Sequence, residues 1–371
     1  MSSCSDATTP GTADVRSAET PVAIKADSRR FSWRRVAVIL LFAAPLAAAV
    51  VCLSPDQSGR TGAEAFLAGQ RKDRGRKGRG KRSSTTRAAF DLGELTIPRE
   101  RVMSGGPPKD GIPALSSPKA IAPSSAVYLE PDDRVVGFAA NGESRAYPIK
   151  ILNYHEVIND VVGGVDVAIT YCPLCDSALA FDRRTSSGVR EFGVSGLLFN
   201  SNVLMYDRTD MTESLWSQLS ARGVSGPGAK ERMPSLPLEL TTWSDWQARH
   251  PSTKVVSPYT GYRRDYSRSP YGAYLDSLGL MFPVEPVSDR LPAKQPVLGV
   301  WTEDAARAYP LSAFSEDRLI VEDNLGGQSV KLVFSPEANA LRIVEAGESV
   351  SWAYSLWFAW YAFHPETDLF E

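Results

Sequence analysis

Two cysteines stand two residues apart in Cys172-Pro173-Leu174-Cys175, and that spacing serves three kinds of chemistry. Around a proline the pair can fold into a turn whose sulfurs point at one metal ion, as in zinc-ribbon knuckles. The same spacing suits thiol–disulfide exchange, in which the first thiolate attacks and the second thiol resolves. In an oxidising compartment the pair can instead be an inert disulfide staple. Each reading has a gap. A metal needs ligands from elsewhere, and the only other cysteines, Cys4 and Cys52, lie in the unusual N-terminal part. A thioredoxin-type site needs a long helix after the pair, whereas Ala178 to Phe181 reads as strand. Asp176 stands where a c-type haem site requires His, which argues against that cofactor.

His155-Glu156 lies about seventeen residues before Cys172 and opens like the HExxH of zinc proteases, but Asn159 takes the place of the second His. The protease reading fails, and a His-Glu pair remains that can supply a ligand or carry a proton. The leading expectation is a transition-metal site, Zn or Cu(I), held by Cys172 and Cys175 with His155 as third ligand; whether it is catalytic stays open. A non-catalytic envelope binding module with CPLC as a staple, and a thiol-redox enzyme, are the alternatives. A polar and aromatic block follows, with Ser195, Asn202, Tyr206, Asp207, Arg208, Trp216 and Gln218. Together with Glu156 and Asp176 these are pocket candidates. Their plainer roles are an Asp207–Arg208 ion pair and a core Trp216. Gly-Val-Ser-Gly around Ser195 is not a GxSxG nucleophile elbow.

The elements that must position these residues are legible through self-similarity. Val135-Val136-Gly137-Phe138 leading to Arg145-Ala146-Tyr147-Pro148 recurs as Val297-Leu298-Gly299-Val300 leading to Arg307-Ala308-Tyr309-Pro310. Asp160 to Gly164 matches Asp323 to Gly327, and Trp243, Trp246 and His250-Pro251 match Trp357, Trp360 and His364-Pro365. The offset falls from 162 to 114, so the second copy lacks a middle block. Pseudo-repeats over 128–260 and 291–371 are expected, the second without the cysteines, since Ser335 and Ala338 stand in their places. Arg145, Arg307, His250 and His364 recur where the cysteines do not, which favours structural roles.

Asn141-Gly142 signals a tight hairpin, and Gly163-Gly164 a further turn. Trp, Trp and His at i, i+3 and i+7, followed by Pro, describe a short helix closing each copy. Ile149 to Asp160 is a weaker helical stretch, given Asn153 and several β-branched residues. The expected fold class is α+β, predominantly antiparallel β with short helices.

The N-terminus bounds the location. Residues 1–35 are polar and end in Arg29, Arg30, Arg34 and Arg35, ahead of an uncharged apolar run over 36–53. That length suits a transmembrane anchor or a signal core, with the arginines on the cytoplasmic side. Ser28-Arg29-Arg30-Phe31 loosely resembles a twin-arginine export signal. A basic, glycine-studded linker spans 54–90, and its 71–87 run suits contact with anionic lipid or wall polymer. The globular region, 91–371, is then membrane-anchored or secreted on the extracytoplasmic side. Of 41 basic and 43 acidic residues, 16 and 7 precede residue 88, leaving 25 against 36 in the rest. The folded part is acidic, so no nucleic-acid partner is expected.

The segments RAYP, YHEVINDVVGG, TYCPLC, FDR, FGVSGLLFNS, LMYDR, SLWSQ, TTW and TGYRRDY, in this order, resemble the bacterial and archaeal domain-of-unknown-function family numbered 3179 over most of residues 95 to 285. The resemblance implies largely exported proteins and carries no reaction, cofactor or fold. It also implies Gly after the second cysteine, where this chain has Asp176.

Overall fold

The computed structural model describes residues 90, 92, 94–185, 188–209 and 212–371. The apolar run 36–53 and the basic run 71–87 lie outside them. No helix among the described residues is long and apolar enough to cross a membrane.

Strands dominate, mostly antiparallel, and the helices are short, in agreement with the expected class. Strand β1 (Arg134–Ala140) turns at Asn141-Gly142 into β2 (Glu143–Pro148). Both turn residues have positive φ, 48° and 81°, as a two-residue hairpin that follows the strand twist demands. Helix α1 covers only Ile149–His155; the rest of that stretch is β3 (Val157–Val162), because its Val and Ile side chains pack better on a pleated surface than on a helix. Gly163-Gly164 then reverses the chain into β4 (Val165–Cys172), and the CPLC turn leads into β5 (Ser177–Asp182). Strands β6 (Phe192–Phe199), β7 (Asn202–Asp207) and β8 (Leu215–Ser217) form most of a second sheet.

Strand β9 (Glu239–Thr242) precedes α2 (Trp243–Arg249) and β10 (Lys254–Val256). The later part of the chain supplies β11 (Pro296–Trp301), β12 (Ala306–Pro310), the meander β13 (Ile320–Leu325), β14 (Gln328–Ser335) and β15 (Ala340–Ala346), then β16 (Ser351–Leu356), α3 (Trp357–Phe363) and β17 (Asp368–Leu369).

The matched sequences make matched contacts. Strand order β9-β1-β2-β10 has its counterpart in β16-β11-β12-β17, with the last pairing parallel in each. Arg145 and the Tyr147 hydroxyl both donate to Asp160 Oδ2, at 2.7 and 2.9 Å; Arg307 and Tyr309 do the same to Asp323, at 2.6 and 2.7 Å. The indole N–H of Trp246 donates to Thr253 Oγ1 at 3.0 Å, and that of Trp360 to Thr367 Oγ1 at 3.0 Å. Each helix ends one residue before its histidine, whose backbone N–H caps it by bonding the second Trp carbonyl at 2.9 Å. The histidines are therefore caps, with their rings against the same Trp at 3.9 Å.

The two stretches meet in one large sheet, where β5 pairs with β16 through Ala178 and Tyr354. Strand β4 is buried on both faces along its second half, as expected for a strand covered from two sides.

Gly137 and Gly299 each lie flat under a Trp ring, Trp246 and Trp360, with no room for a Cβ. Gly137→Ala and Gly299→Ala should each lower stability by about 1–3 kcal/mol through overpacking, read as a shift in the urea midpoint; unchanged midpoints would show that the rings move aside freely.

Candidate functional site

Cys172 ends β4 and Cys175 closes the turn, its N–H bonding the Cys172 carbonyl at 3.1 Å. Both are free thiols and fully buried. Their sulfurs converge on one acceptor, the Ser201 carbonyl, at 3.7 Å from Cys172 and 3.2 Å from Cys175. That carbonyl is presented by the hairpin joining β6 to β7, where Asn200 and Ser201 both have positive φ. The buried Ser201 hydroxyl has no hydrogen-bond partner among the described residues.

The two thiols differ in environment. Burial raises the Cys172 pKa, but the Cys175 thiol and the backbone N–H groups of Cys175, Val203 and Leu174 all donate to its sulfur, and together they bring it below the ordinary thiol value. Cys175 is pushed up, by burial first and then by its donation to Cys172 and the charge there. The two thiols of the turn are therefore shifted in opposite directions, Cys172 down and Cys175 up.

Glu156 is brought to the same place. It caps α1 at φ 57°, ψ −35°, a conformation costly for a residue with a Cβ. Its N–H bonds the Leu152 carbonyl and its carbonyl accepts the Tyr171 N–H, each at 2.8 Å, so its backbone is pinned opposite the residue before Cys172. Burial, then the Cys172 charge, raises the carboxyl well above the usual range despite a hydrogen bond from Tyr271.

Behind the turn lies a closed polar network. Asn202 donates to Ser177 Oγ at 3.1 Å and to Gln218 Oε1 at 2.8 Å; Ser177 Oγ donates to Gln218 Oε1 at 2.7 Å, and Gln218 donates to Thr170 Oγ1 at 3.0 Å. All four are buried. Asn202 also bonds Cys175. Asp176, at φ 46°, takes the left-handed backbone that suits Gly, and it is held there by two bonds from Arg134, at 3.1 and 2.9 Å, and one from the Tyr171 hydroxyl at 2.7 Å. It fixes the turn from behind. Tyr274 donates to the Leu174 carbonyl at 3.0 Å.

Other expected members lie elsewhere. Both ring nitrogens of His155 are taken, Nδ1 by the Pro113 carbonyl and Nε2 by the Tyr266 hydroxyl, each at 2.7 Å. Among the described residues no three His, Cys, Asp or Glu side chains gather to hold a metal ion, so the expected Cys172, Cys175 and His155 triad is not assembled. The helix ends at His155 and the left-handed turn at Glu156 sends the two side chains to different partners. Ser195 bonds the Leu204 carbonyl at 2.5 Å within the second sheet. Asp207 pairs with Arg190, and Arg208 instead with Asp110 and Glu191, at 3.1 and 2.9 Å; Asp207 is the last residue of β7 and Arg208 lies just beyond it, and the expected Asp207–Arg208 pair does not form. Tyr206 joins Asp110 at 2.5 Å, and Trp216 is core under the Arg190 guanidinium.

Ser201, Val203, Tyr271 and Tyr274 were not singled out by residue type. Counting back along the hairpin from Gly163-Gly164 sets residue 156 opposite 171, a signal that could have tied Glu156 to the cysteine strand.

Residues 109–354 match the family described as "Protein of unknown function (DUF3179)". The chain belongs to the DUF3179 family. The match spans the cysteine turn, Glu156 and the polar network of this DUF3179 chain, and it brings no reaction with it. No curated protein and no solved structure shows significant similarity.

Burial lowers the His155 pKa to about 4, against a bond to the Pro113 carbonyl that raises it. Unfolded, the same ring titrates near pH 6.5. The neutral ring's contribution is thus fully present above about pH 6.5 and is lost as pH falls towards 4, by up to about 3 kcal/mol. Urea midpoints of the DUF3179 chain should drop across that window more steeply than those of His155→Gln; equal slopes would show that His155 is protonated at no cost.

Proposed function

We propose that this protein is a thiol–disulfide redox protein in which Cys172 is the attacking thiolate and Cys175 the resolving thiol. The observation that carries the reading is a pair of free, buried thiols on one tight turn whose sulfurs meet at the same backbone carbonyl, that of Ser201, with surroundings that lower Cys172 and raise Cys175. An inert staple has no use for a stabilised thiolate, whereas nucleophilic attack on sulfur or oxygen requires one. Donation to the thiolate by backbone N–H groups also replaces the long helix whose absence weakened the redox reading in the sequence. Location on the extracytoplasmic side of a membrane, held by 36–53 with the basic run against anionic lipid or wall polymer, belongs to the same proposal.

A second reading rests on the convergence of both sulfurs at Ser201. Two thiolates alone satisfy a soft ion such as Cu(I), whereas Zn would need two further ligands.

Oxidation of the reduced full chain with diamide should join Cys172 to Cys175, found as a linked peptide with the loss of two hydrogens, and Cys172→Ser should abolish it. Thiols that both remain reduced in a chain that keeps its fold would overturn the redox reading. Near-stoichiometric Cu(I) retained against a competing chelator, and lost in Cys172→Ser, would favour the second.

A further inference from the structure

The turn between β11 and β12 and the end of α3 form one wall of a cavity of about 700 Å3, and residues 219–222 and 232–235, which follow β8, form the other. Neither cysteine lines it. Its apolar side is a stack of three rings. His364 lies on Trp360 with centroids 3.9 Å apart and planes at 20°, and Trp301 stands 5.5 Å from His364 and 5.9 Å from Trp360. Trp360 is fully buried and fixed by its bond to Thr367, at 3.0 Å, whereas Trp301 and His364 line the cavity. The position matched to Trp301 in the first stretch is Ala139, and there a smaller cavity of about 450 Å3 is lined by Ala139, Trp246 and His250. The larger cavity thus has an aromatic wall where its counterpart has a methyl group.

The polar groups around this platform lack partners. His364 Nε2 is buried and bonds nothing among the described residues. The Arg222 guanidinium and the Asp304 and Glu366 carboxylates make no ion pair or side-chain hydrogen bond among them either, whereas Arg232 and Glu303 pair with each other at 3.2 Å. Burial lowers the His364 pKa to about 4, so its ring is neutral at pH 7. Acids along the lining then outnumber bases three to two, Glu303, Asp304 and Glu366 against Arg222 and Arg232.

We propose that this cavity binds a neutral saccharide, with Trp301 against the face of one sugar ring and Arg222, Asp304 and Glu366 bonding its hydroxyls. The volume is that of sites which enclose ligands of disaccharide size. A pyranose is apolar across its C–H face, which suits an aromatic ring. Its edge carries hydroxyls that each donate and accept, which suits a rim offering guanidinium donors and carboxylate acceptors together. An anion would meet the excess of acids, and a wholly apolar ligand would strand the polar groups without partners. The site is separate from the cysteine turn, so the proposal does not depend on the redox reading.

The test titrates the full chain with cellobiose, maltose and N,N′-diacetylchitobiose, and with glucose 6-phosphate as the anionic comparison, by calorimetry and by tryptophan fluorescence. Expected are millimolar or tighter binding of at least one neutral disaccharide, one per chain, and a loss of about tenfold or more in Trp301→Ala and in Asp304→Asn. Preference for N,N′-diacetylchitobiose points to an amino-sugar glycan strand as the source, and preference for either glucose disaccharide to a soluble sugar. No binding of any of the three by the folded chain overturns the proposal, as does tighter binding of glucose 6-phosphate or binding undiminished in both variants. If Trp301→Ala does not fold, Asp304→Asn and Arg222→Gln, both at exposed positions, decide: unchanged affinity in the two sinks the assignment.

Discussion

Polar groups taken away from water must find hydrogen-bond partners within the protein, and this constraint organises the structure around the buried Cys172–Cys175 turn. The partners are main-chain groups, the Ser201 carbonyl for both sulfurs and the Cys172 carbonyl for the Cys175 N–H, so their supply depends on the path of the backbone rather than on any one side chain. Two separate strand reversals have to meet to provide them, the CPLC turn from the large sheet and the Asn200-Ser201 hairpin from the second sheet. The Asn202, Ser177, Gln218 and Thr170 network fastens the two reversals to each other. Buried polar networks are stabilising only when every member is satisfied, and this one is bonded throughout.

The same burial raises the Glu156 carboxyl. Glu156 sits close enough to feel the Cys172 charge, and two anions sharing a dry site would repel. Its backbone is held by Leu152 on one side and Tyr171 on the other, so it cannot retreat to solvent. Asp176, directly after Cys175, is held by Arg134 and the Tyr171 hydroxyl.

Much of the local structure was legible in the sequence because it depends on neighbours along the chain. The Asn141-Gly142 hairpin, the Gly163-Gly164 reversal and the two Trp-containing helices are all short-range signals, and the contacts of Arg145 and Arg307 follow the matched segments that contain them. The site was legible only in part. CPLC announced itself by spacing, and the structure bonds Asn202 and Gln218 to each other behind that turn and pins the Glu156 backbone opposite Tyr171. His155 was misplaced because one left-handed residue separates it from Glu156, and a sequence does not display the φ at which a glutamate will sit. Tyr271 and Tyr274 arrive from a loop nearly a hundred residues beyond the turn, as the Tyr274–Leu174 bond shows, and residue type alone gives no hint of such a return.

One bond connects the reactive turn to the far part of the chain. The Cys175 carbonyl accepts the Leu356 N–H at 2.8 Å, next to the single pairing of β5 with β16. During synthesis Cys175 therefore emerges long before the strand that satisfies it, and until that strand docks the dithiol lies on an unprotected edge. The cysteine turn is thus fully enclosed only when the last strands of the chain have docked, unlike a turn closed by nearby sequence.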